Sequence, residues 1–370
     1  MSFREHLAGI PVDELIDAAH RSGPRDVERA ISRETPDLAD FAALLSPSAD
    51  ASLEEIAERA RKTTLQRFGR TVQLYAPLYV SNECVETCTY CSFARSNPVP
   101  RRTLTVEEAE SEARILLRRG FRHLLLVSGE HPRHVSPEYL ESVIAALHPV
   151  TPSLSVEVQP QTADVYARWC GAGAEGLVVY QETYDREAYA QVHLAGKKKN
   201  YDWRLDTPDR GAAGGMKRLG IGALLGLADW RLEAVHLAVH ARYLMRRYWR
   251  TFVTVSFPRL RKAAFAIEAR RAVSDRDLAR VICAFRLFLP DVGLVLSTRE
   301  SPAFRDGMLG LGVTQVSAGS RTDPGGYSRP EEAEKQFETE DTRTAEEVSE
   351  AIRARGFDPV WKDWEAALSG

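Results

Sequence analysis

A chain of 370 residues, 44% hydrophobic and 27% charged, has the composition of an ordinary globular enzyme and room for one barrel-sized domain with extensions. Its 49 Lys and Arg offset 52 Asp and Glu to a net charge of −3, which leaves no electrostatic case for nucleic acid or an anionic membrane as the main partner. No apolar run approaches the ~20 residues of a membrane span, the first residues lack the apolar core of a signal peptide, and five cysteines do not suit a disulfide framework. A cytoplasmic protein is expected, in which clustered thiols bind metal or do chemistry.

Residues 1–70 read as an N-terminal helical extension, with strings such as Leu53-Glu-Glu-Ile-Ala-Glu-Arg. A strand–helix rhythm follows. Apolar runs fall at 73–80, 123–127, 154–158, 176–180, 220–225, 252–257, 293–297 and 313–317, separated by longer amphipathic stretches. The stretches carry helix punctuation. Thr105-Val-Glu-Glu108 fits a capping box, Ser136-Pro137 and Ser301-Pro302 place a capping hydroxyl before a first-turn proline, and Gly120, Gly171 and Gly312 fall where helices should stop. Eight such units predict an α/β fold, a (β/α)8 TIM-type barrel over residues 71–320. An open doubly wound sheet is the competing arrangement, but no glycine-rich dinucleotide turn is present. Residues 321–370 read as a C-terminal extension packing on the barrel, with a turn at Asp323-Pro-Gly-Gly-Tyr327, an acidic stretch, a helix from Thr344 to Arg355 and the ending Trp361-Lys-Asp-Trp364.

Polar residues cluster just after the predicted strands: Ser128-Gly-Glu130, Glu157-Val-Gln159, Gln181-Glu182, Arg259 with Arg261, Arg299-Glu300, and Ser317 with Ser320. Barrel active sites form at the C-terminal ends of the strands, so these residues imply one site at that rim, although some simply begin loops. After the first strand comes Cys84-Val-Glu-Thr-Cys88-Thr-Tyr-Cys91. Three thiolates on one loop can hold one side of an iron–sulfur cubane, which takes four thiolates when fully ligated by protein. Cys170 and Cys283 lie far off in predicted helices and suit buried packing, so one iron is left open to a substrate. Structural zinc competes, but its usual second ligand pair is missing near this loop.

The pattern C-x3-C-x2-C, with aromatic Tyr90 before the last cysteine, resembles the signature of radical S-adenosylmethionine (SAM) enzymes. The flanks Leu78-Tyr-Val-Ser-Asn-Glu-Cys84 and Cys91-Ser-Phe-Ala-Arg are similar to the tyrosine lyase branch, above all the 2-iminoacetate synthases of thiamine thiazole biosynthesis. The likeness continues through Leu125-Leu-Val-Ser-Gly-Glu130-His, Val156-Glu-Val-Gln-Pro160, Val179-Tyr-Gln-Glu-Thr-Tyr184, Tyr201-Asp-Trp-Arg and Leu296-Ser-Thr-Arg-Glu-Ser-Pro302. Ser92 departs from it, standing where that family usually has glycine.

The resemblance implies that Cys84, Cys88 and Cys91 ligate one [4Fe–4S] cluster. It further implies that the backbone near Tyr90 meets the adenine of SAM, that Ser128, Gly129 and Glu130 take its amino group, that Glu157 takes the ribose hydroxyls, and that Ile221 to Leu225 pack on adenine. Ile221 and Leu225 serve equally well as a plain buried strand. For a tyrosine substrate, Arg299 suits a bidentate carboxylate clamp, completed by Ser317 and Ser320. Glu182, Arg259, Arg261 and His240 are weaker candidates for orientation or proton transfer; His240 is as readily a helix-face residue, and a rim salt bridge is the plain alternative for the arginines. Implied partners are L-tyrosine, thiazole synthase and a reductant such as flavodoxin or ferredoxin. Hydrogenase-maturation tyrosine lyases and tryptophan lyases share the scaffold; the former need further cysteines, and none follows Cys283. An iron–sulfur electron carrier or scaffold is the non-enzymatic alternative, against which the SAM-like motifs argue.

Overall fold

The structure is a computed structural model that describes residues 2–261, 263, 265–330 and 334–362. Part of the acidic stretch and the end of the Trp361–Trp364 motif lie outside these. Eight parallel strands close into a barrel: β1 (Thr71–Ser81), β2 (His123–Ser128), β3 (Ser153–Glu157), β4 (Gly176–Glu182), β5 (Arg218–Ala223), β6 (Phe252–Ser256), β7 (Gly293–Leu296) and β8 (Gln315–Ser317). Each pairs with its sequence neighbour, and β1 pairs with both β2 and β8, so the sheet has no open break. All eight predicted apolar runs fall on these strands. A short β9 (Asp358–Val360) lies beside the N-terminal end of β1.

Predicted caps form as hydrogen bonds. Thr105 Oγ1 accepts from the Glu108 amide while the Glu108 carboxylate accepts from the Thr105 amide. Ser136 and Ser301 cap the helices Pro137–Leu147 and Pro302–Met308, and Thr344 caps Ala345–Ala354. One helix stop differs. Gly171 stays inside the helix Ala163–Ala172, and the chain turns two residues later at Gly173, whose φ of +117° only glycine adopts readily.

Helices Phe3–Leu7, Val12–Arg21, Pro24–Ser32, Leu38–Leu44 and Leu53–Phe68 form the N-terminal layer and bury their apolar faces in the core around the barrel. Phe41 packs on Phe285 and Phe288, and Phe3 stacks on His240 with ring centroids 3.7 Å apart. Inside the barrel the strand period of two points alternate side chains inward. His123, Ser155 and Gln315 form a hydrogen-bonded layer there, which places polar groups in the lower interior. Continuing the alternation from Ser155 sends Glu157 inward too, one layer closer to the C-terminal rim. No helix among the described residues is long and apolar enough to cross a membrane.

Candidate active site

At the C-terminal rim one cavity is lined by Cys84, Cys88 and Cys91, by Ser128, Gly129 and Glu130, and by Tyr90, Glu157, Glu182 and Arg299. Ten expected site residues from five parts of the chain thus meet in one place. Lys198, Leu224, Gln336 and Phe337 also line it.

The cysteine loop is heavily braced. Val85 N–H donates to Glu130 O at 2.9 Å, Thr89 N–H to Val192 O at 3.1 Å, and Ile267 N–H to Thr89 O at 2.9 Å. The Glu86 carboxylate accepts from the amides of Lys197 and Lys198, each at 2.9 Å. Arg101 donates to the carbonyls of Asn82, Phe93, Ala94 and Asn97, folding the loop around one guanidinium. Gly129 is needed for close approach, because a Cβ there would lie 2.3 Å from Glu83 O. Burial pushes the Cys84 thiol up to about 12 and also raises Cys88 and Cys91.

Two features test this loop as an iron–sulfur site. The three thiols are free and share one cavity wall, while Cys170 and Cys283 sit in helices away from it. The sulfurs also do not converge as ligands of a single ion do: among the described residues, the set of three potential ligand atoms within 4.8 Å of one another is Glu83, His131 and His134 instead. A cubane holds each thiolate on a different iron, so its ligand sulfurs need not meet at one point. The residues fit a cluster with one open iron.

Beside the thiols lies a buried ion network. Lys198 Nζ is 2.7 Å from Glu182, and Arg204 lies 3.1 Å from Glu130 and 3.6 Å from Glu182. Burial raises a carboxyl pKa, but Lys198 and Arg204 outweigh it and bring Glu182 down to about 2. Glu182 also sits at φ +71°, a left-handed backbone uncommon outside glycine, where β4 slips register against β5. Glu157 goes the other way: burial and then the Glu182 charge raise it to about 7. The Arg299 guanidinium has no acidic partner within 4 Å among the described residues and lies 3.3 Å over the Phe337 ring. The buried Ser128 hydroxyl also lacks a hydrogen-bond partner among the described residues. Tyr90 donates to or accepts from His193 at 2.8 Å.

Other expected site residues are placed elsewhere. His240, on the helix Trp230–Arg247, is buried between Phe3 and Tyr184, 2.8 Å from the Tyr184 hydroxyl, and burial depresses it to about 3. It packs the N-terminal layer and does not reach the cavity. Within the expected run Ile221 to Leu225, Leu224 lines the cavity, while Ile221 and Leu225 belong to the apolar core. Ser317 spends its hydroxyl accepting from Thr298 N–H at 3.1 Å, and neither it nor Ser320 lines the cavity. Arg259 and Arg261 both pair with Glu300, the plain salt-bridge role. Lys198, Arg204, Gln336 and Phe337 were not anticipated; Arg204 lay in the quoted Tyr201-Asp-Trp-Arg204 string without a role.

A closed parallel barrel with three thiols on the loop after its first strand defines the class of radical SAM enzymes. Residues 78–238 match the family model of the radical SAM superfamily, and residues 256–358 match that of the biotin and thiamin synthesis associated domain. The 2-iminoacetate synthase of Escherichia coli K12 is 45% identical over 344 residues, 93% of this chain and 91% of that protein. The crystal structure of HydG, a maturase of the [FeFe]-hydrogenase, superposes with a TM-score of 0.87 at 31% identity, covering 95% of this chain and 79% of that one. Methylornithine synthase (PylB), at 20% identity and a TM-score of 0.68, shares the fold. The chain belongs to the 2-iminoacetate synthase family and is a radical SAM lyase. That family implies a [4Fe–4S] cluster and SAM.

Proposed function

We propose that the protein cleaves the Cα–Cβ bond of L-tyrosine to 2-iminoacetate and p-cresol, consuming SAM as methionine and 5′-deoxyadenosine, and so supplies a thiazole precursor of thiamine. The observation that carries this reading is the meeting of the three thiols, a buried ion network and a carboxylate-free arginine in one cavity.

Cys84, Cys88 and Cys91 would hold a single cluster and leave one iron for SAM. When bound, the reduced cluster and SAM supply a 5′-deoxyadenosyl radical, chemistry that no side chain provides. The protein's own residues bind, orient and exclude water. Glu130 and the Ser128 hydroxyl offer acceptors for the SAM ammonium, while Lys198 and Arg204 bring positive charge for its carboxylate. Glu157 would take the ribose hydroxyls, and Leu224 and the chain at Tyr90 would flank the adenine. Arg299, already levelled against Phe337, clamps the tyrosine carboxylate with two parallel N–H donors. The braced rim holds both substrates in fixed register, which keeps the radical to one partner.

By family resemblance the labile imine passes to thiazole synthase, and the electron comes from flavodoxin or ferredoxin. Anaerobic reconstitution with iron and sulfide, then SAM, dithionite and tyrosine, tests the reading by mass spectrometry. Deoxyadenosine together with p-cresol is expected, and Cys88→Ala should form neither. Deoxyadenosine without p-cresol discards tyrosine; neither product from fully loaded protein discards the reading.

A further inference from the structure

The C-terminal segment reaches back to the cysteine loop through one residue. Gln336 is fixed at three points. Its carbonyl accepts from the Ser92 hydroxyl at 2.8 Å and from Ser92 N–H at 3.4 Å. Its own amide N–H donates to Thr322 O at 3.0 Å. The Tyr79 hydroxyl, on β1, donates to the side-chain Oε1 at 2.7 Å. With Oε1 engaged by a hydroxyl donor, the other end of the side-chain amide must be Nε2, and it lies 3.7 Å from Cys91 Sγ. The reverse orientation would aim a carbonyl oxygen at the sulfur and leave the tyrosine facing an N–H.

We infer that Gln336 is a positioning residue for the cluster: its Nε2–H donates to the Cys91 thiolate and raises the reduction potential of the iron–sulfur centre. This rests on the three cysteines holding that centre. Reduction adds a negative charge that is shared with the ligand sulfurs. A donor aimed at one of them therefore stabilises the reduced form more than the oxidised form. The bond is built from both sides of the chain. Tyr79 sets the direction of the amide, and Ser92, next to the ligand itself, sets its distance. Ser92 is the position where the sequence departs from its family's glycine, and the added hydroxyl is the atom that ties Gln336 down. The neighbouring Phe337 supports Arg299, so the same segment serves the tyrosine end of the cavity.

The test is an EPR-monitored redox titration of the reconstituted full chain without SAM or tyrosine, with iron and sulfide content measured for every sample. Gln336→Met keeps the length of the side chain and removes the donor; its midpoint potential should fall below wild type at equal iron content. Gln336→Glu, which puts a negative charge at the sulfur, should fall further. Tyr79→Phe frees the amide to rotate and should shift the potential the same way by less, a second route should the Gln336 variants fold poorly. Equal potentials for wild type, Gln336→Met and Tyr79→Phe, all fully loaded, would overturn the inference. Wild-type protein that takes up no cluster would instead overturn the cysteine assignment beneath it.

Discussion

Lys198 Nζ lies 2.7 Å from the Glu182 carboxylate, with each side chain only 11% exposed. Lys198 belongs to the loop whose amides hold Glu86 of the cysteine segment, while Glu182 ends β4. The pair joins the barrel rim to the cysteine loop through charge. Glu182 also shares Arg204 with Glu130, which makes the four residues one buried network. Removing one carboxylate leaves cations buried without full compensation, so Glu182→Gln should lower unfolding stability at pH 7 by about 3 kcal/mol in urea titrations. Glu182 has its pKa depressed to about 2. Its stabilising contribution is therefore complete above the ordinary carboxylate range and is lost as pH falls toward 2. The difference between wild type and variant should shrink over that window. A difference that stays constant would show that Glu182 is not ionised against Lys198.

Glu157 gives the opposite slope. Burial, followed by the Glu182 charge, raises it to about 7, so the folded protein holds a proton there that the unfolded chain has released above about pH 4.5. Its contribution to stability thus declines as pH rises from about 4.5 to about 7. Glu157→Gln should remove that decline and be relatively more stable at pH 7.5 than at pH 5, by about 2 kcal/mol. Paired denaturation curves at the two pH values check this.

Arg299 makes no ion pair among the described residues and rests its plane on Phe337. Arg299→Lys keeps the charge but loses the planar fork and the stacking surface. The KM for tyrosine should rise about tenfold to a hundredfold, the loss of one or two charge-assisted hydrogen bonds. Deoxyadenosine formation without tyrosine should be unchanged. An equal loss of both would place Arg299 on the SAM side of the cavity.

Gly129→Ala forces a Cβ to within 2.3 Å of Glu83 O and 3.2 Å of Cys84 Cβ, both in the cysteine loop. The backbone there must move, which costs about 1–3 kcal/mol. Cluster content after reconstitution should fall while the far-ultraviolet circular dichroism stays that of the wild type. Full iron loading in the variant would show that the loop tolerates the displacement.

Strand positions and the cysteine loop were legible because they are local. Period-two apolar runs, capping hydroxyls and three clustered thiols all announce themselves within ten residues or so. The family motifs carried Glu157 and the run Ile221 to Leu225 to the cavity, and within that run it is Leu224, just past the end of β5, that lines it. His240 misled. A buried histidine on a helix has the same appearance in sequence whether it faces a substrate or an aromatic ring, and here Phe3, more than two hundred residues away, fills that place. Ser317 stands at the rim as expected, at the end of β8, but its hydroxyl accepts from Thr298 N–H and does not line the cavity. Lys198, Gln336 and Phe337 arrive on irregular segments with no periodicity to read, and only the folded chain brings them to the cysteines.

The cysteine loop takes its shape from the rest of the barrel. Arg101 gathers four of its carbonyls, Glu86 caps two amides of a distant turn, and residues near 192 and 267 fasten Thr89, all through protein groups alone. Small zinc domains fold around their metal because nothing else orders their ligands. Here side chains and backbone from distant parts of the chain order the loop that carries the thiols. The three thiols are thereby tied to the barrel as one unit, and a change that loosens Arg101 or Glu86 displaces them together.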